Sequence, residues 1–428
     1  MKKLSLVLAA ALAATIAGLN AQAGSFETML ANPPQNVSGA PAVSGPSAVA
    51  PAGSRTAAPR EWLVLVFING VNDLGILGYA AQSVNFMEQV GSTDKMAVLV
   101  EFGVLGQFSM EERDLNFTRG SKTLYVTRDA DWEKVTSPAI FTSNDSDMGS
   151  TANLVRFVKR GIRSYPAKKV AVIVWNHGNG RLGISYDDVS QNHMEIDQLG
   201  AALGQIKQTL GHKIDVFATD ACYMQMAAVA YELKDSAEVI VGSEDIAPLV
   251  GFPYNMLLAK LAATPGMNGE GLGSVIVDTF GAFNRQEGVT LSAIRSSALP
   301  GFVAALNKWV GAVAADPQAL KTAASQAVMD KVYKFYQMDD SKDLYGYIGS
   351  VNAALKASPA VKSTGVALQN YIKRNLLVRT TLARPKTYGL AIYIPELRYN
   401  SANYEKLAFA ADSQWDDFLR LLMEERLK

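Results

Sequence analysis

The chain has 428 residues, 49% of them hydrophobic, which is enough for the core of one large domain or two modest ones. Its 40 basic and 40 acidic residues give a formal net charge of zero, so the composition predicts no attraction to nucleic acid or to an anionic membrane. A single cysteine excludes an intramolecular disulfide, and with three scattered histidines it forms no ligand set of the kind that zinc requires.

The N-terminus has the order of a secretory signal peptide. Lysines at positions 2 and 3 precede an apolar run at 4–18, and Ala-Gln-Ala follows at 21–23. We expect residues 1–23 to be removed and the mature chain to be exported to the periplasm or the medium. An uncleaved anchor is the alternative, but the run is shorter than the roughly 20 residues that span a bilayer. We expect no transmembrane segment in the mature chain.

Residues 24–60 are dominated by Ala, Pro, Ser and Gly, which is typical of a linker or a pro-segment. Beyond them, apolar runs predict buried strands at 63–69, 96–102, 170–175, 214–218 and 239–241. Helical patterns lie near 80–90, 152–164, 196–210 and 223–233. This alternation predicts an α/β fold, with a mostly parallel sheet flanked by helices on both faces. We place that domain at 61–295, and a mostly helical C-terminal region with a last strand at 389–394 packs on it as residues 296–428.

A histidine and the cysteine follow two neighbouring predicted strands. His177 lies just beyond the strand at 170–175, and Gly178 after it lets a substrate approach the backbone. Cys222 lies between the strand at 214–218 and a helical pattern. Because the carboxyl ends of parallel strands meet at one sheet edge, we expect both residues there. A helix start beside Cys222 would stabilise its thiolate through the helix dipole and free N–H groups.

Peptide-bond hydrolysis needs a nucleophile, a proton donor for the leaving amine, and N–H donors for the oxyanion. Cys222, His177 and the backbone N–H groups of Gly178 and Cys222 are candidates for these roles. Each residue also has a plainer interpretation, since a free cysteine is commonly an inert core residue and a histidine beside glycines commonly belongs to a turn. Spacing and position alone leave both interpretations open.

Three polar residues are candidates for a substrate pocket at the same edge. Asp220 lies two positions before Cys222, where a carboxylate would pair with a substrate guanidinium or ammonium group. Its alternative role is to cap the helix that follows. Ser243 and Glu244 follow the strand at 239–241 and either line that pocket or belong to a polar loop.

Two motifs resemble the clostripain family of cysteine peptidases, which shares a structural clan with caspases, legumains and gingipains. The first is Trp-Asn-His-Gly at 175–178, and the second is Asp-Ala-Cys-Tyr-Met at 220–224. Further matches extend from about residue 61 to 422, among them Gly-Phe-Pro-Tyr at 251–254 and Tyr-Gly-Leu-Ala-Ile-Tyr-Ile-Pro at 388–395. The resemblance covers almost the whole mature chain and implies a caspase-like fold.

The resemblance implies a function as well as a fold. Cys222 corresponds to the nucleophile, His177 to the general acid/base of a Cys-His dyad, and Asp220 to the acid that selects Arg or Lys before the scissile bond (P1). The expected activity is endopeptidase cleavage of peptide or protein substrates through a thioester acyl-enzyme. The alternative is an exported protein that keeps the fold and binds peptides without catalysis, against which the presence of all three residues argues.

The resemblance also suggests two further properties to consider, calcium binding and self-processing. Some family members are activated or stabilised by Ca²⁺, and the acidic stretches at 145–147 and 187–188 are the candidate ligands, although neither has a calcium-loop pattern. We expect no cofactor to be required for the chemistry. Family members commonly cut themselves after a basic residue between the histidine and the cysteine, where this chain offers only Arg181, Lys207 and Lys213. Removal of the segment at 24–59 is therefore a competing hypothesis for activation.

Overall fold

A computed structural model describes residues 59–105, 120–285, 288–381 and 383–428. The predicted signal peptide and residues 24–58 of the predicted linker lie outside this part of the chain. The described residues belong to one compact unit, and they contain fourteen strands and fifteen α-helices.

The strands are β1 (Arg60–Gly70), β2 (Met96–Val104), β3 (Ser121–Tyr125), β4 (Ala139–Ser143), β5 (Ala167–Trp175), β6 (Ile184–Asp187), β7 (Asn192–Met194), β8 (Ile214–Asp220), β9 (Ala237–Gly242), β10 (Ser292–Arg295), β11 (Lys334–Phe335), β12 (Met338–Asp343), β13 (Leu377–Thr380) and β14 (Ala391–Tyr393).

The helices are α1 (Asp73–Ile76), α2 (Tyr79–Glu88), α3 (Thr151–Ser164), α4 (Ile196–Leu210), α5 (Ala227–Leu233), α6 (Tyr254–Ala263), α7 (Gly269–Phe283), α8 (Leu299–Ala314), α9 (Pro317–Ala324), α10 (Gln326–Met329), α11 (Leu344–Ala354), α12 (Pro359–Tyr371), α13 (Ser401–Tyr404), α14 (Ala408–Asp412) and α15 (Trp415–Arg426).

A nine-stranded sheet forms the centre of the fold, in the order β13-β10-β9-β8-β5-β1-β2-β3-β4. The five strands from β9 to β2 in this order run parallel. They are the five strands that the sequence predicts, so the mostly parallel sheet is confirmed. Antiparallel strands complete both edges, β3 and β4 on one side and β10 and β13 on the other.

The central strands are buried on both faces of the sheet, which explains their nearly continuous apolar sequences. In β1, Leu63 and Leu65 point into one core, whereas Val64 and Val66 point into the other, because successive side chains of a strand alternate between faces. Helices α3, α4 and α5 contribute to the first core, and α2, α6 and α7 to the second. Helices therefore cover both faces, as expected.

The C-terminal region is mostly helical, as predicted, but it also contributes strands. β13 pairs antiparallel with β10 and extends the central sheet, while β11, β12 and β14 form a small separate sheet. The N–H of Ala391 in β14 donates to the carbonyl oxygen of Gln225, close after Cys222, at 3.0 Å. This region therefore lies directly against the carboxyl-end loop of β8.

Among the described helices, none alone has the length and apolar character needed to cross a membrane. One sharply bent pair, Ser296–Ala314 with Pro317–Ala324, meets the criteria of length and composition together. Its large side chains Phe302, Leu306 and Trp309 are fully buried in the protein core.

Candidate active site

The carboxyl ends of β5 and β8 lie side by side. Trp175, the last residue of β5, pairs with Asp220, the last residue of β8, and the N–H of Asn176 donates to the Asp220 carbonyl at 3.3 Å. His177 and Cys222 each follow two residues after this pair. The fold therefore brings the two predicted dyad residues to one sheet edge.

Gly178 lies in direct contact with the cysteine turn. A Cβ atom on Gly178 would be 2.3 Å from the backbone oxygen of Cys222, a distance that no side chain tolerates. The glycine after His177 is therefore required by the close approach of the two loops. No hydrogen bond joins His177 to Cys222 among the contacts of the described residues.

Three buried asparagines connect the loop after β1 to the loop after β5. The side-chain amides of Asn69 and Asn72 both donate to the carbonyl oxygen of Tyr186, at 3.0 and 2.9 Å. Asn176 donates to the carbonyl of Asn69 at 2.6 Å and accepts from the N–H of Tyr186 at 2.7 Å. Because the asparagines are almost completely shielded from water, these bonds fix the loops relative to each other.

His177 has a carboxylate partner that the sequence analysis does not identify. Its Nε2 lies 2.7 Å from Oδ1 of Asp73, the first residue of α1. Both side chains are open to solvent, 40% exposed for His177 and 64% for Asp73. Hydrogen bonding to the imidazole holds the pKa of Asp73 below its usual range. The available signal was the position of Asp73 just after β1, at the same sheet edge.

Cys222 lies in a tight turn rather than at the start of a helix. The next residue, Tyr223, has a φ of 62°, in the left-handed region that costs energy for a residue with a side chain. The N–H of Tyr223 donates to the Asp245 carbonyl at 3.2 Å, and its hydroxyl donates to the Tyr336 carbonyl. The N–H of Ala247 donates to Sγ of Cys222 at 3.3 Å. Contacts from two other segments, the loop after β9 and the turn between β11 and β12, thus hold this turn.

The pKa of the Cys222 thiol is raised, which favours its neutral form at pH 7. Desolvation, together with the nearby Asp245 and Asp220 carboxylates, raises this pKa to about 11. Helix α5 begins at Ala227, later than the predicted start at 223, so its N-terminal N–H groups are not at the thiol. The expectation of a thiolate stabilised by this helix is therefore wrong. A reaction at this thiol would therefore require a group that takes up its proton.

Two backbone N–H groups at this edge have no hydrogen-bond partner among the residues that the structure describes. Within the described part of the chain, neither the N–H of Gly178 nor that of Cys222 donates to another residue. Gly178 lies against the backbone of Cys222, so the residues that carry these groups are neighbours in space. N–H groups without an internal partner are the kind of donor that an oxyanion requires.

Asp220 is a buried carboxyl group without a cationic partner. It is 4% exposed, and its Oδ2 accepts from the N–H of Phe252 at 2.9 Å and the hydroxyl of Tyr254 at 3.0 Å. No described residue donates to Oδ1, and no described basic residue forms an ion pair with Asp220. Burial raises its pKa to about 7. An uncompensated buried acid next to a nucleophile is suited to bind an incoming cation.

Ser243 and Glu244 have structural contacts in the interior. Both are buried, and Ser243 Oγ donates to the Thr290 carbonyl at 2.5 Å. Glu244 accepts from the N–H of Gly389 at 2.8 Å and faces the buried carboxyl of Asp343, and this burial and pairing raise its pKa well above the usual range. These contacts give no support to a role for either residue in substrate binding.

Asp245 is also buried but, unlike Asp220, it has an ion-pair partner. Its Oδ2 lies 2.8 Å from Nη1 of Arg384 and accepts from the hydroxyl of Tyr333 at 2.9 Å. Of the two buried aspartates near Cys222, only Asp220 lacks a described cation. This difference favours Asp220 as the group that receives a basic side chain.

The acidic stretches considered for calcium accept hydrogen bonds from within the protein. Both oxygens of Asp187 accept backbone N–H groups, from Val189 and Ser190 on Oδ1 and from Met148 on Oδ2. Asp147 likewise accepts from Ser190 and from neighbouring polar groups. No cluster of three or more metal-ligating side chains is present in the described ranges. The carboxylates therefore serve to shape these loops.

Arg181, one of the candidate self-processing positions, is held within the structure. It is 5% exposed, its Nη2 lies 2.9 Å from Oδ2 of Asp340, and its guanidinium lies 3.9 Å from the Tyr393 ring centre. A peptidase cannot reach the bond after Arg181 without disrupting these contacts.

Comparison with known proteins identifies the family. A model of the clostripain family matches residues 66–422. Clostripain from Hathewaya histolytica is 31% identical over 155 residues, an alignment that covers 31% of this chain and 28% of that protein. This chain thus matches less than a third of the length of that relative.

Two solved structures share the fold. A secreted C11 cysteine protease from Bacteroides thetaiotaomicron, in complex with an irreversible peptide inhibitor, has a TM-score of 0.60 at 19% identity, covering 83% of this chain and 99% of that chain. An inactive zymogen C11 protease from Parabacteroides distasonis has a TM-score of 0.63 at 19% identity, covering 83% and 98%. Because the family model spans most of the sequence, the chain belongs to the clostripain family, a family of cysteine peptidases.

Proposed function

We propose that this protein is an exported cysteine endopeptidase that cleaves peptide bonds after Arg or Lys, with Cys222 as nucleophile and His177 as general base and acid. One observation carries the proposal. His177 and Cys222 follow the paired ends of β5 and β8, and the N–H groups of Gly178 and Cys222 have no hydrogen-bond partner among the described residues. Nucleophile, base and oxyanion donors are thus supplied by one sheet edge.

In the acylation step, Sγ of Cys222 attacks the carbonyl carbon of the scissile bond while the thiol proton moves to His177. This transfer is needed because the partly buried thiol, whose pKa is raised, is protonated at neutral pH. The N–H groups of Gly178 and Cys222 hydrogen bond the oxyanion that forms. The imidazolium then protonates the departing amine as the C–N bond breaks, leaving a thioester on Cys222.

In the deacylation step, His177 takes a proton from a water molecule as the water oxygen attacks the thioester carbonyl. The same N–H groups bind the second oxyanion. The C–S bond breaks, the proton returns to the sulfur, and the new carboxyl terminus leaves.

Asp220 would set the preference for a basic P1 side chain. A guanidinium or ammonium group that reaches Oδ1 would compensate the buried charge and hold the carboxyl in its ionised form. A neutral side chain leaves that charge uncompensated. Selectivity therefore follows from the burial of Asp220 and from its lack of a cation among the described residues.

We also propose that the protein is exported and that it is active without a cut after Arg181. The order of charges and apolar residues at positions 1–23 supports export, and one structural relative is described as secreted. The burial of Arg181 supports an enzyme that is not cut after this residue.

The central experiment measures hydrolysis of fluorogenic peptides with Arg, Lys or a neutral residue at P1. We expect turnover of the basic-P1 peptides by the wild type and none by Cys222→Ala. An irreversible basic-P1 peptide label should add one mass equivalent to wild type at Cys222. Turnover by Cys222→Ala would overturn the proposal, and tight peptide binding without turnover or labelling would instead indicate a non-catalytic protein.

Specificity is tested separately with Asp220→Asn. We expect the ratio of kcat/KM for Arg over a neutral P1 residue to fall at least tenfold. Asp215→Asn is the matched control, because Asp215 lies on the same strand and accepts a backbone N–H from Val170 at 2.9 Å. An unchanged ratio in Asp220→Asn would reject the pocket assignment without affecting the dyad.

A further inference from the structure

We propose that Asp73 is a positioning residue for His177, which fixes the tautomer and the orientation of the imidazole during catalysis. This inference rests on the proposed function of His177 as general base. It assigns a role to a residue outside the Cys-His dyad, and it concerns a contact that connects the loop after β1 to the loop after β5.

The contact determines which imidazole nitrogen is the base. Nε2 of His177 lies 2.7 Å from Oδ1 of Asp73. An ionised carboxylate only accepts hydrogen bonds, so Nε2 must carry the proton of this bond. Asp73 is ionised at neutral pH because the imidazole lowers the pKa of its carboxyl. In the neutral imidazole, Nδ1 is then unprotonated and is the atom that receives the thiol proton.

The position of Asp73 is fixed by the buried asparagine network. Asn72 precedes it and caps α1, since its Oδ1 accepts the N–H of Leu74 at 3.1 Å. The side-chain amide of Asn72 donates to Tyr186, on the segment that follows His177. Asp73 is thus held by a residue that is itself bonded to the histidine loop, and the carboxylate remains opposite the imidazole.

Asp188 is a second acidic residue close to this pair. Its N–H donates to the Val71 carbonyl at 2.9 Å, which places it beside the same loop. Partial burial and the charge of Asp73 raise the pKa of Asp188, and His177 acts in the opposite direction. No hydrogen bond between Asp188 and the imidazole is present in the described structure. Asp188 therefore provides a nearby carboxylate that lacks the positioning contact.

The expected effect is moderate because the pair is exposed to solvent. Exposed ion pairs are weaker than the buried ones of many catalytic triads, and water can partly replace the carboxylate. We expect Asp73→Ala to lower kcat about tenfold and to leave KM within twofold of wild type. Asp73→Asn should retain more activity than Asp73→Ala, since its amide oxygen can still accept the Nε2 proton.

A spectroscopic measurement separates positioning from a purely structural role. The chain has three histidines, so the ring nitrogens of His177 can be assigned by ¹⁵N NMR with the variant His177→Gln as reference. We expect His177 to be protonated at Nε2 in wild type and in Asp73→Asn. In Asp73→Ala we expect a mixture of the two tautomers.

The kinetic series compares wild type, Asp73→Ala, Asp73→Asn and the control Asp188→Asn, with thermal unfolding of each as a check on folding. The proposal is supported if only the Asp73 variants lose kcat and only Asp73→Ala changes the tautomer. It is overturned if Asp73→Ala keeps kcat within twofold, or if the tautomer is unchanged. An inactive wild type would instead count against the proposed function.

Discussion

The two sides of the candidate site differ in their exposure to water. On the histidine side, His177 and Asp73 are 40% and 64% exposed. On the cysteine side, Asp220 is 4% exposed, and burial raises the pKa of both Asp220 and Cys222. The proposed base thus lies in a solvated environment, whereas the partly buried proposed nucleophile and the buried proposed specificity acid lie where charge is costly. A basic substrate would reduce that cost by bringing a cation to Asp220.

The largest expected effect concerns the reactivity of the thiol. With a pKa of about 11, Cys222 should be alkylated by iodoacetamide slowly at pH 7. Below the pKa, the thiolate fraction rises tenfold per pH unit, so we expect a rate increase of roughly a thousandfold between pH 7 and pH 10.

The alkylation is followed by mass spectrometry, with circular dichroism to confirm that the protein stays folded. A cysteine-containing peptide is the control, and its rate should level off near its ordinary pKa of about 8.5. A protein rate that levels off below pH 8 would show that the cysteine side is not desolvated as described.

The second prediction tests the contact that joins the two sides. Gly178→Ala would place a Cβ 2.3 Å from the backbone oxygen of Cys222, so one of the two loops must move. Displacements of about 1 Å cost about a hundredfold in rate, and we expect kcat/KM to fall by at least that factor. Gly266→Ala is the control, because a Cβ there meets open space. Near-normal kcat/KM in Gly178→Ala would mean that the loops tolerate separation.

The third prediction follows from the pKa of about 7 that burial gives Asp220. The carboxyl is ionised above this pH and neutral below it, so recognition of a cation weakens as the pH falls. We expect the ratio of kcat/KM for an Arg peptide over a neutral-P1 peptide to drop about tenfold between pH 8 and pH 6. The ratio cancels the titration of groups that affect both substrates. It should be independent of pH in Asp220→Asn, and a pH-independent ratio in wild type would contradict the assignment.

The smallest effect concerns the stability contributed by two buried carboxyl groups, Glu244 and Asp343, which lie against each other. Burial raises the pKa of Glu244 well above its usual range and that of Asp343 to about 6. Groups with raised pKa values bind more protons in the folded state. Their contribution to stability is complete below the unfolded-state pKa, near 4.5 for Glu, and is lost as the pH rises through the folded-state values.

We therefore expect the free energy of unfolding of the wild type to fall between pH 5 and pH 9. In Glu244→Gln this fall should be smaller by about 1 kcal/mol. Urea denaturation at the two pH values measures this difference. Glu238→Gln, an exposed position on β9, is the control and should change neither value. An unchanged pH dependence in Glu244→Gln would show that this carboxyl pair does not disfavour the alkaline folded state.

Much of the fold could be predicted because strands that are buried on both faces have nearly continuous apolar sequences. The five parallel strands are apolar along their length, and α4 has the bounds that its periodicity predicts, Ile196–Leu210. The antiparallel edge strands β3 and β4 could not be predicted in this way, because their sequences are not continuously apolar. β4 is largely exposed and β3 begins with Ser, Lys and Thr, so neither has the apolar pattern of a central strand.

The site was predictable as a location more than as a set of contacts. Strand ends placed His177, Cys222 and Asp220 at one edge, because parallel strands present their carboxyl ends together. Ser243 and Glu244 follow the same rule, yet they point into the interior and contact Thr290 and Gly389. Which way a side chain turns after a strand depends on distant segments, and the local sequence does not record it.

The sequence by itself determined the family, the parallel core and the pair of loops that carry His177 and Cys222, because these depend on local composition and on motifs. Only the tertiary structure decided the state of the groups in those loops. The neutral thiol, the buried acid without a described cation, and the carboxylate of Asp73 opposite His177 arise from segments far apart in the chain. Solvation and hydrogen bonding are properties of the assembled edge, which is why they appear only in the fold.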